Sequence, residues 1–174
     1  MTLFDEVAGV LSHHGVAHAL IGASALAAYG VSRSTVDQDL LVVDRQVLEP
    51  RFWSAIDRDV KIDARRGDGD DPLAGVVRLS KAGDRDVDVV VGRHQWQADI
   101  LSRAVVLKGK GVCVVEAADL ILMKLYAGGA QDKWDIEQLL GVHTDAGMLA
   151  AVDERIGALP QHSRDMWVTL RPKS

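Results

Sequence analysis

The chain has 174 residues, 48% of them hydrophobic and 26% charged, with a formal net charge of -5. That length supports one domain with a real core and a small helical appendage, and is too short for two independent cores. The mildly acidic balance excludes a protein that coats nucleic acid by bulk charge, which needs clustered Lys and Arg, and leaves room only for a local basic groove.

Thr2, Glu6, Val7, Val10 and Leu11 predict a short amphipathic opening helix that ends near Gly15. Residues 17 to 21 read as a strand, and residues 22 to 29 as a helix of small residues stopped by Gly30. Residues 39 to 43 form a second apolar strand. Asp44 is placed to cap a following helix, along which Leu48, Phe52 and Ile56 recur at four-residue spacing. Residues 63 to 72, DARRGDGDDP, read as an exposed, turn-rich loop. Its acids Asp68, Asp70 and Asp71 lack the closing Glu of a calcium loop. Residues 76 to 79 and 87 to 91 flank a Gly-containing connection that suits a hairpin, so the middle of the chain is mostly sheet.

After His94 a helix is expected through Ala104, then two short apolar runs on either side of residues 108 to 111. Helices follow at 116 to 126 and 132 to 140, separated by Gly128 and Gly129. Two weaker helices, interrupted near Pro160, complete the chain. The single cysteine, Cys113, lies in an apolar run as a small core residue, and no intrachain disulfide is possible. Asp5 and Glu6 stand where a secretory leader would be basic, and no stretch reaches the ~20 apolar residues of a membrane span. A cytoplasmic protein with no membrane partner is the expectation.

The most informative segment is IGASALAAYGVSRSTVDQDLLVV, residues 21 to 43. Residues two apart in a strand share a face, so Asp37 and Asp39 aim into one small volume while Gln38 faces away. Two like charges that close are costly without a cation between them. Magnesium suits the place, since it takes a few hard oxygen ligands and leaves positions for water and phosphate oxygens. A third carboxylate would complete a two-metal clamp. Asp88, embedded between Val87 and Val89, is the preferred candidate, with Asp86 on the same face as its competitor. Singly, each acid reads as a turn, strand-edge or surface residue. Together with a strand ending at Gly22 and a helix whose first-turn amides can meet phosphate, they make one consistent site.

These residues resemble the nucleotidyltransferase superfold of DNA polymerase beta, in which a Gly-Gly or Gly-Ser pair opens a helix and Asp-x-Asp and a later single acid follow. More narrowly, IGASALAAYGVSRSTVDQDLLV, DVDVVVG and DLILMKLYAGGAQDKWDIEQLL are similar to the AbiEii-like, abortive-infection toxin type of bacterial nucleotidyltransferase-like proteins. The resemblance covers roughly residues 15 to 141. It implies an α/β (α+β) fold with a mixed sheet flanked by helices: a nucleotidyltransferase-like core over residues 1 to 115 and a helical C-terminal part over 116 to 174, packed as one unit. It also implies an NTP held by one or two Mg²⁺ ions, and transfer of a nucleotidyl group to an RNA (tRNA among them), a protein or a small molecule.

Carried over by residue, the resemblance makes Asp37, Asp39 and Asp88 the metal-binding and catalytic acids. Gly22 and Ser24 would meet the triphosphate, Arg33 and Thr35 the phosphates or their loop, and Lys124 and Asp132 would belong to the later helical motif. A tRNA acceptor would direct attention to Arg33, Lys108, Lys110 and Lys124. A cognate antitoxin or a homo-oligomer are the protein partners it brings. The chain departs from the pattern at Ala23, in place of the second glycine, at Gln38 between the acids, and at Gly129, where many relatives carry Arg. Those departures support a rival reading, a non-catalytic module that binds nucleotide or a partner protein.

Overall fold

The computed structural model describes residues 1–34, 37–108, 111–143 and 145–173. Helix α1, Leu3–His13, buries Leu3, Val7 and Leu11 along one stripe. Thr2 caps it, its hydroxyl accepting from the Asp5 amide at 3.2 Å while the Asp5 carboxylate accepts from the Thr2 amide at 2.9 Å. Strand β1, Ala19–Ile21, leads directly into the seven-residue helix α2, Gly22–Ala28, and β2 follows at Gln38–Val42.

The helix expected after Asp44 is replaced by two 3-10 turns, Arg45–Leu48 and Pro50–Trp53. Asp44 does cap the first, accepting from the Gln46 amide at 2.9 Å. Pro50 stops it, because its ring holds Glu49 in extended backbone (φ -88°, ψ 128°) and it has no amide to donate. The predicted loop from residue 63 is also corrected. Strand β3 runs over Lys61–Arg66, and only the remainder of that segment is the turn into β4, Leu73–Ser80. No residue of β3 is fully buried, so it carries no apolar alternation to read. It is an edge strand, and charges on an edge discourage pairing with other chains.

Strand β5, Val87–Gly92, completes the expected hairpin with β4. Helix α3 spans Gln95–Arg103, and the two short apolar runs are β6, Val105–Val106, and β7, Cys113–Val114. The helical part comprises α4 (Ala117–Ala127), α5 (Ala130–Val142), α6 (Ala146–Arg155) and α7 (Gln161–Leu170). Gly128, at φ 72°, ends α4 in the left-handed conformation that glycine adopts without a Cβ penalty.

The strands form one mixed sheet in the order β3-β4-β5-β2-β1-β7-β6. The β2–β5 and β1–β7 pairs are parallel, and the others antiparallel. One face buries Leu40, Val42, Val77, Leu79, Val87, Val89 and Val91 completely. The other is divided. Ala19, Ile21 and Leu41 are buried there, whereas Val76 and Val90 are only half-buried, so its β3–β4–β5 portion lies open.

Helix α4 packs against α5, α6 and α7. Asp119 of α4 is fully buried and accepts from Arg103 and Arg155, each at 2.9 Å. Each cation comes from a different helix, so the paired charge ties α3 and α6 to α4. Among the described residues no helix is long and apolar enough to cross a membrane.

Candidate active site

Strand register assembles the acids. Asp39 of β2 stands beside Asp88 of the parallel strand β5, and Asp37 immediately precedes β2. On the far side of Asp88, Arg78 of β4 is its direct partner, and Asp63 of β3 is the partner of Arg78. On the near side, Ile21 of β1 pairs with Asp39. Paired residues of neighbouring strands share a face, so Asp63, Arg78, Asp88, Asp39 and Ile21 form one row across five strands. The register places Asp88 directly beside Asp39, while Asp86 precedes β5 as Asp37 precedes β2.

Gly22 explains how the row is closed. It has φ +60°, and a Cβ at this position would lie 2.1 Å from Oδ2 of Asp39. The small-residue turn therefore leaves space for that carboxylate. Any L-residue here would meet both backbone strain and a collision.

Burial raises the pKa of Asp39 to about 6, and the carboxylates of Asp88 and then Asp37 push it in the same direction. Lys124 and Arg78 offset only part of this. Asp88 is 14% exposed and is held in the fork of Arg78, whose Nε donates to Oδ1 at 2.8 Å and whose Nη2 donates to Oδ2 at 2.6 Å. The same Nη2 reaches Oδ2 of Asp37 at 3.4 Å. This pairing raises the pKa of the Arg78 guanidinium.

Among the described residues no three His, Cys, Asp or Glu side chains converge at metal-holding separation. The donor chemistry nevertheless fits a hard divalent cation at Asp37 and Asp39. Both are oxygen donors, and the Asp39 carboxylate, buried and close to the charges of Asp88 and Asp37, is one that a cation would stabilise. Asp88 would join such a site through its remaining lone pairs or by turning from the fork of Arg78.

The helical motif forms a second network. Asp135 of α5 is fully buried and accepts from Lys124 at 2.7 Å, Arg33 at 3.1 Å and Gln131 at 3.1 Å. Asp132 accepts from the Gly129 amide at 3.1 Å, capping the start of α5, and from Lys124 of α4 at 2.9 Å. Lys124 is thus fixed between two acids while its charge is still felt at Asp39. Arg33 is anchored to Asp135 rather than extended into solvent.

Ser24 borders a different hollow, of about 1,020 Å³, together with Leu20, Gln38, Arg85 and Lys108. Leu20 and Gln38 point to the opposite sheet face from Asp39, so this hollow is not the one the acid row faces. Thr35 lies outside the described residues.

Two participants escaped sequence reasoning. Arg78 interrupts the buried pair Val77 and Leu79, which marks a charge on the face opposite the core. Asp135 sits on the buried stripe of α5 with Ile136, Leu139 and Leu140, where a carboxylate requires cationic partners.

No family model matches the chain, and no curated protein matches it in sequence. Solved structures do match in fold. A Helicobacter pylori protein classed as a nucleotidyltransferase aligns over 96% of this chain and 79% of its own, with TM-score 0.55 and 17% identity. JHP933 from Helicobacter pylori aligns over 97% and 90%, with TM-score 0.52 and 16% identity. The antibiotic-resistance factor ANT(2'')-Ia aligns over 97% and 92%, with TM-score 0.56 and 13% identity. The mixed sheet and its flanking helices have the nucleotidyltransferase-like fold.

Proposed function

We propose that the protein is a Mg²⁺-dependent nucleotidyltransferase using an NTP as donor, with Asp37, Asp39 and Asp88 as its acids. The observation that carries this reading is the in-register placement of Asp39 beside Asp88, next to a glycine whose missing side chain accommodates the carboxylate. The acceptor's hydroxyl oxygen attacks the α-phosphorus and forms a new P–O bond. The bond from that phosphorus to its bridging oxygen breaks, and pyrophosphate leaves. The hydroxyl proton passes to Asp88 after Arg78 has turned away from it. Asp37 and Asp39 would hold one or two Mg²⁺ ions, which would supply charge neutralisation for the phosphoryl oxygens. Lys124, already oriented by Asp132 and Asp135, adds fixed positive charge beside Asp39. Without metal Asp39 is ionised above about pH 6, and a bound cation would extend that range downward.

A second reading, a non-catalytic module binding nucleotide or a partner protein, is favoured by the Arg78 fork that engages both oxygens of Asp88. It also draws on Ala23, Gln38 and Gly129. The narrower assignment to an AbiEii-like toxin acting in the cytoplasm, with a cognate antitoxin or a second copy as partner, rests on the three sequence blocks described above. Calorimetric titration of the four NTPs, with and without Mg²⁺, separates the two main readings. The enzyme reading expects metal-dependent binding of an NTP that is lost in the Asp37→Asn/Asp39→Asn double variant. Binding that ignores both metal and variant, or no binding at all, overturns it in favour of the module.

A further inference from the structure

Arg78 stands between two carboxylates and is bound to only one of them. Its direct partner on β5 is Asp88, and its direct partner on β3 is Asp63. Opposed residues of antiparallel strands have Cα atoms about 4.5–5.5 Å apart, so both acids lie within reach of the guanidinium without movement of the backbone. The whole fork is turned one way. Nε and Nη2 hold the two oxygens of Asp88 at 2.8 and 2.6 Å, and Nη2 also reaches Asp37 at 3.4 Å. Among the described residues Asp63 pairs only with Arg65, two positions along its own strand, and both of those hydrogen bonds fall on Oδ2. Arg65 is 81% exposed, and an ion pair that open to water holds its carboxylate weakly.

The side chain has room to turn. A cavity of about 460 Å³ opens on this part of the sheet, with Asp63, Arg78 and Asp88 among its lining residues. Arg78 and Asp63 are each close to half exposed, so core packing does not oppose a rotation from one acid to the other. The two berths differ in what surrounds them. Asp88, with Asp37 and Asp39 beside it, concentrates negative charge on one side of Arg78, and that concentration explains the direction of the fork. A cation among those three acids would cancel the charge and repel the guanidinium, while the attraction of Asp63 would be left nearly unchanged.

From this geometry we infer that Asp63 is a positioning residue for the acid site, receiving the Arg78 guanidinium when a divalent cation draws Asp88 away from it. Arg78 and its two cross-strand acids then form a two-position switch on the surface of β4. The inference rests on the metal-binding reading of Asp37, Asp39 and Asp88 for what drives the exchange, whereas the second berth is a property of the strand register alone. Without Asp63 the displaced guanidinium would have no anion on its other side and would compete longer for Asp88. An opposite-charge pair across two strands shifts an equilibrium by a factor of about three to five at its stronger end, and that is the effect expected on metal affinity.

Calorimetric titration with Mn²⁺ tests the exchange, using wild type, Asp63→Asn, Asp63→Glu, Arg78→Ala and the Asp63→Asn/Arg78→Ala double variant. Asp63→Asn should weaken Mn²⁺ binding about three- to fivefold, Asp63→Glu should retain the wild-type affinity, and Asp63→Asn should have no effect once Arg78 is gone. An equal loss with and without Arg78 would mean that Asp63 attracts the metal by charge alone, and no loss would mean that Arg78 does not use it; either result overturns the inference. Urea unfolding in EDTA tests the second berth without metal and shows that each variant is folded. Asp88→Asn should send the guanidinium to Asp63, so the coupling between Asp63→Asn and Arg78→Ala should be larger on the Asp88→Asn background than on the wild-type one. Coupling that fails to grow overturns the inference. Wild-type protein that binds no Mn²⁺ would strike the metal reading and the exchange it drives, and the cycle in EDTA would then tell whether the register still offers Arg78 a second partner.

Discussion

Asn in place of Asp39 tests the electrostatics of the acid row. The carboxyl goes from an ordinary 3.8 to about 6 on folding, so the folded chain binds the proton more tightly than the unfolded one. Stability from this group is therefore fully present below about pH 4 and is lost as pH rises through about 6. Each tenfold difference in proton affinity is worth about 1.4 kcal/mol, and partial access of water to this half-buried group reduces the total to about 2 kcal/mol. Asp39→Asn removes that cost while keeping the shape beside Gly22. Without divalent ions, the variant should be about 2 kcal/mol more stable than wild type at pH 7.5 and indistinguishable from it near pH 4. For a chain of this size that is about 4–8 °C in Tm. Urea and thermal unfolding in EDTA at pH 4, 5, 6 and 7.5 measure the difference, and titrating groups outside the acid row cancel because both proteins carry them. An unchanged pH slope, or a variant less stable at pH 7.5, would refute the reasoning. Mg²⁺ should then narrow the gap by stabilising only the wild type.

Three further outcomes follow from the same geometry. Gly22→Ala should lose about 2 kcal/mol or more in urea unfolding, because the backbone is left-handed and the new Cβ meets Asp39; an unchanged midpoint contradicts the close approach. Arg78→Ala should bind Mn²⁺ several-fold more tightly in calorimetry, since it frees both oxygens of Asp88 and relieves Asp37, and weaker binding would show that Arg78 supports the metal site instead of competing with it. Asp135→Ala should cost about 3 kcal/mol and Asp132→Ala about 1 kcal/mol, because only Asp135 is fully buried among its cations. Equal losses in chemical denaturation would refute that ranking.

What was legible in the sequence follows from which forces are local. Alternating apolar residues mark β5, and Gly22, Gly30 and Gly128 end their elements through backbone conformations a reader can anticipate. Asp37 and Asp39 are legible because a strand period of two brings neighbours to one face. Strand β3 was hidden, since an edge strand with charged residues is held by its partner's hydrogen bonds and not by its own burial pattern. The 3-10 turns after Asp44 were hidden for the opposite reason: the apolar spacing was helical, but Pro50 overruled it. Arg78 and Asp135 depend on cross-strand register and helix packing, which join residues separated by 10 and 102 positions from Asp88 and Arg33 respectively.

The row across the sheet gives Asp88 two partners that pull on it from opposite sides. Beside Asp39 its charge adds to the burial that raises the pKa of that carboxyl, while the fork of Arg78 neutralises it. A cation at Asp37 and Asp39 would draw Asp88 toward it and against Arg78, so metal binding in the wild type carries the cost of loosening that fork. Mn²⁺ affinity measured in wild type, Arg78→Ala, Asp88→Asn and the double variant isolates the cost. Arg78→Ala should raise affinity where Asp88 is present and do little on the Asp88→Asn background, whereas an equal gain on both backgrounds would mean that Arg78 opposes the metal by its charge alone.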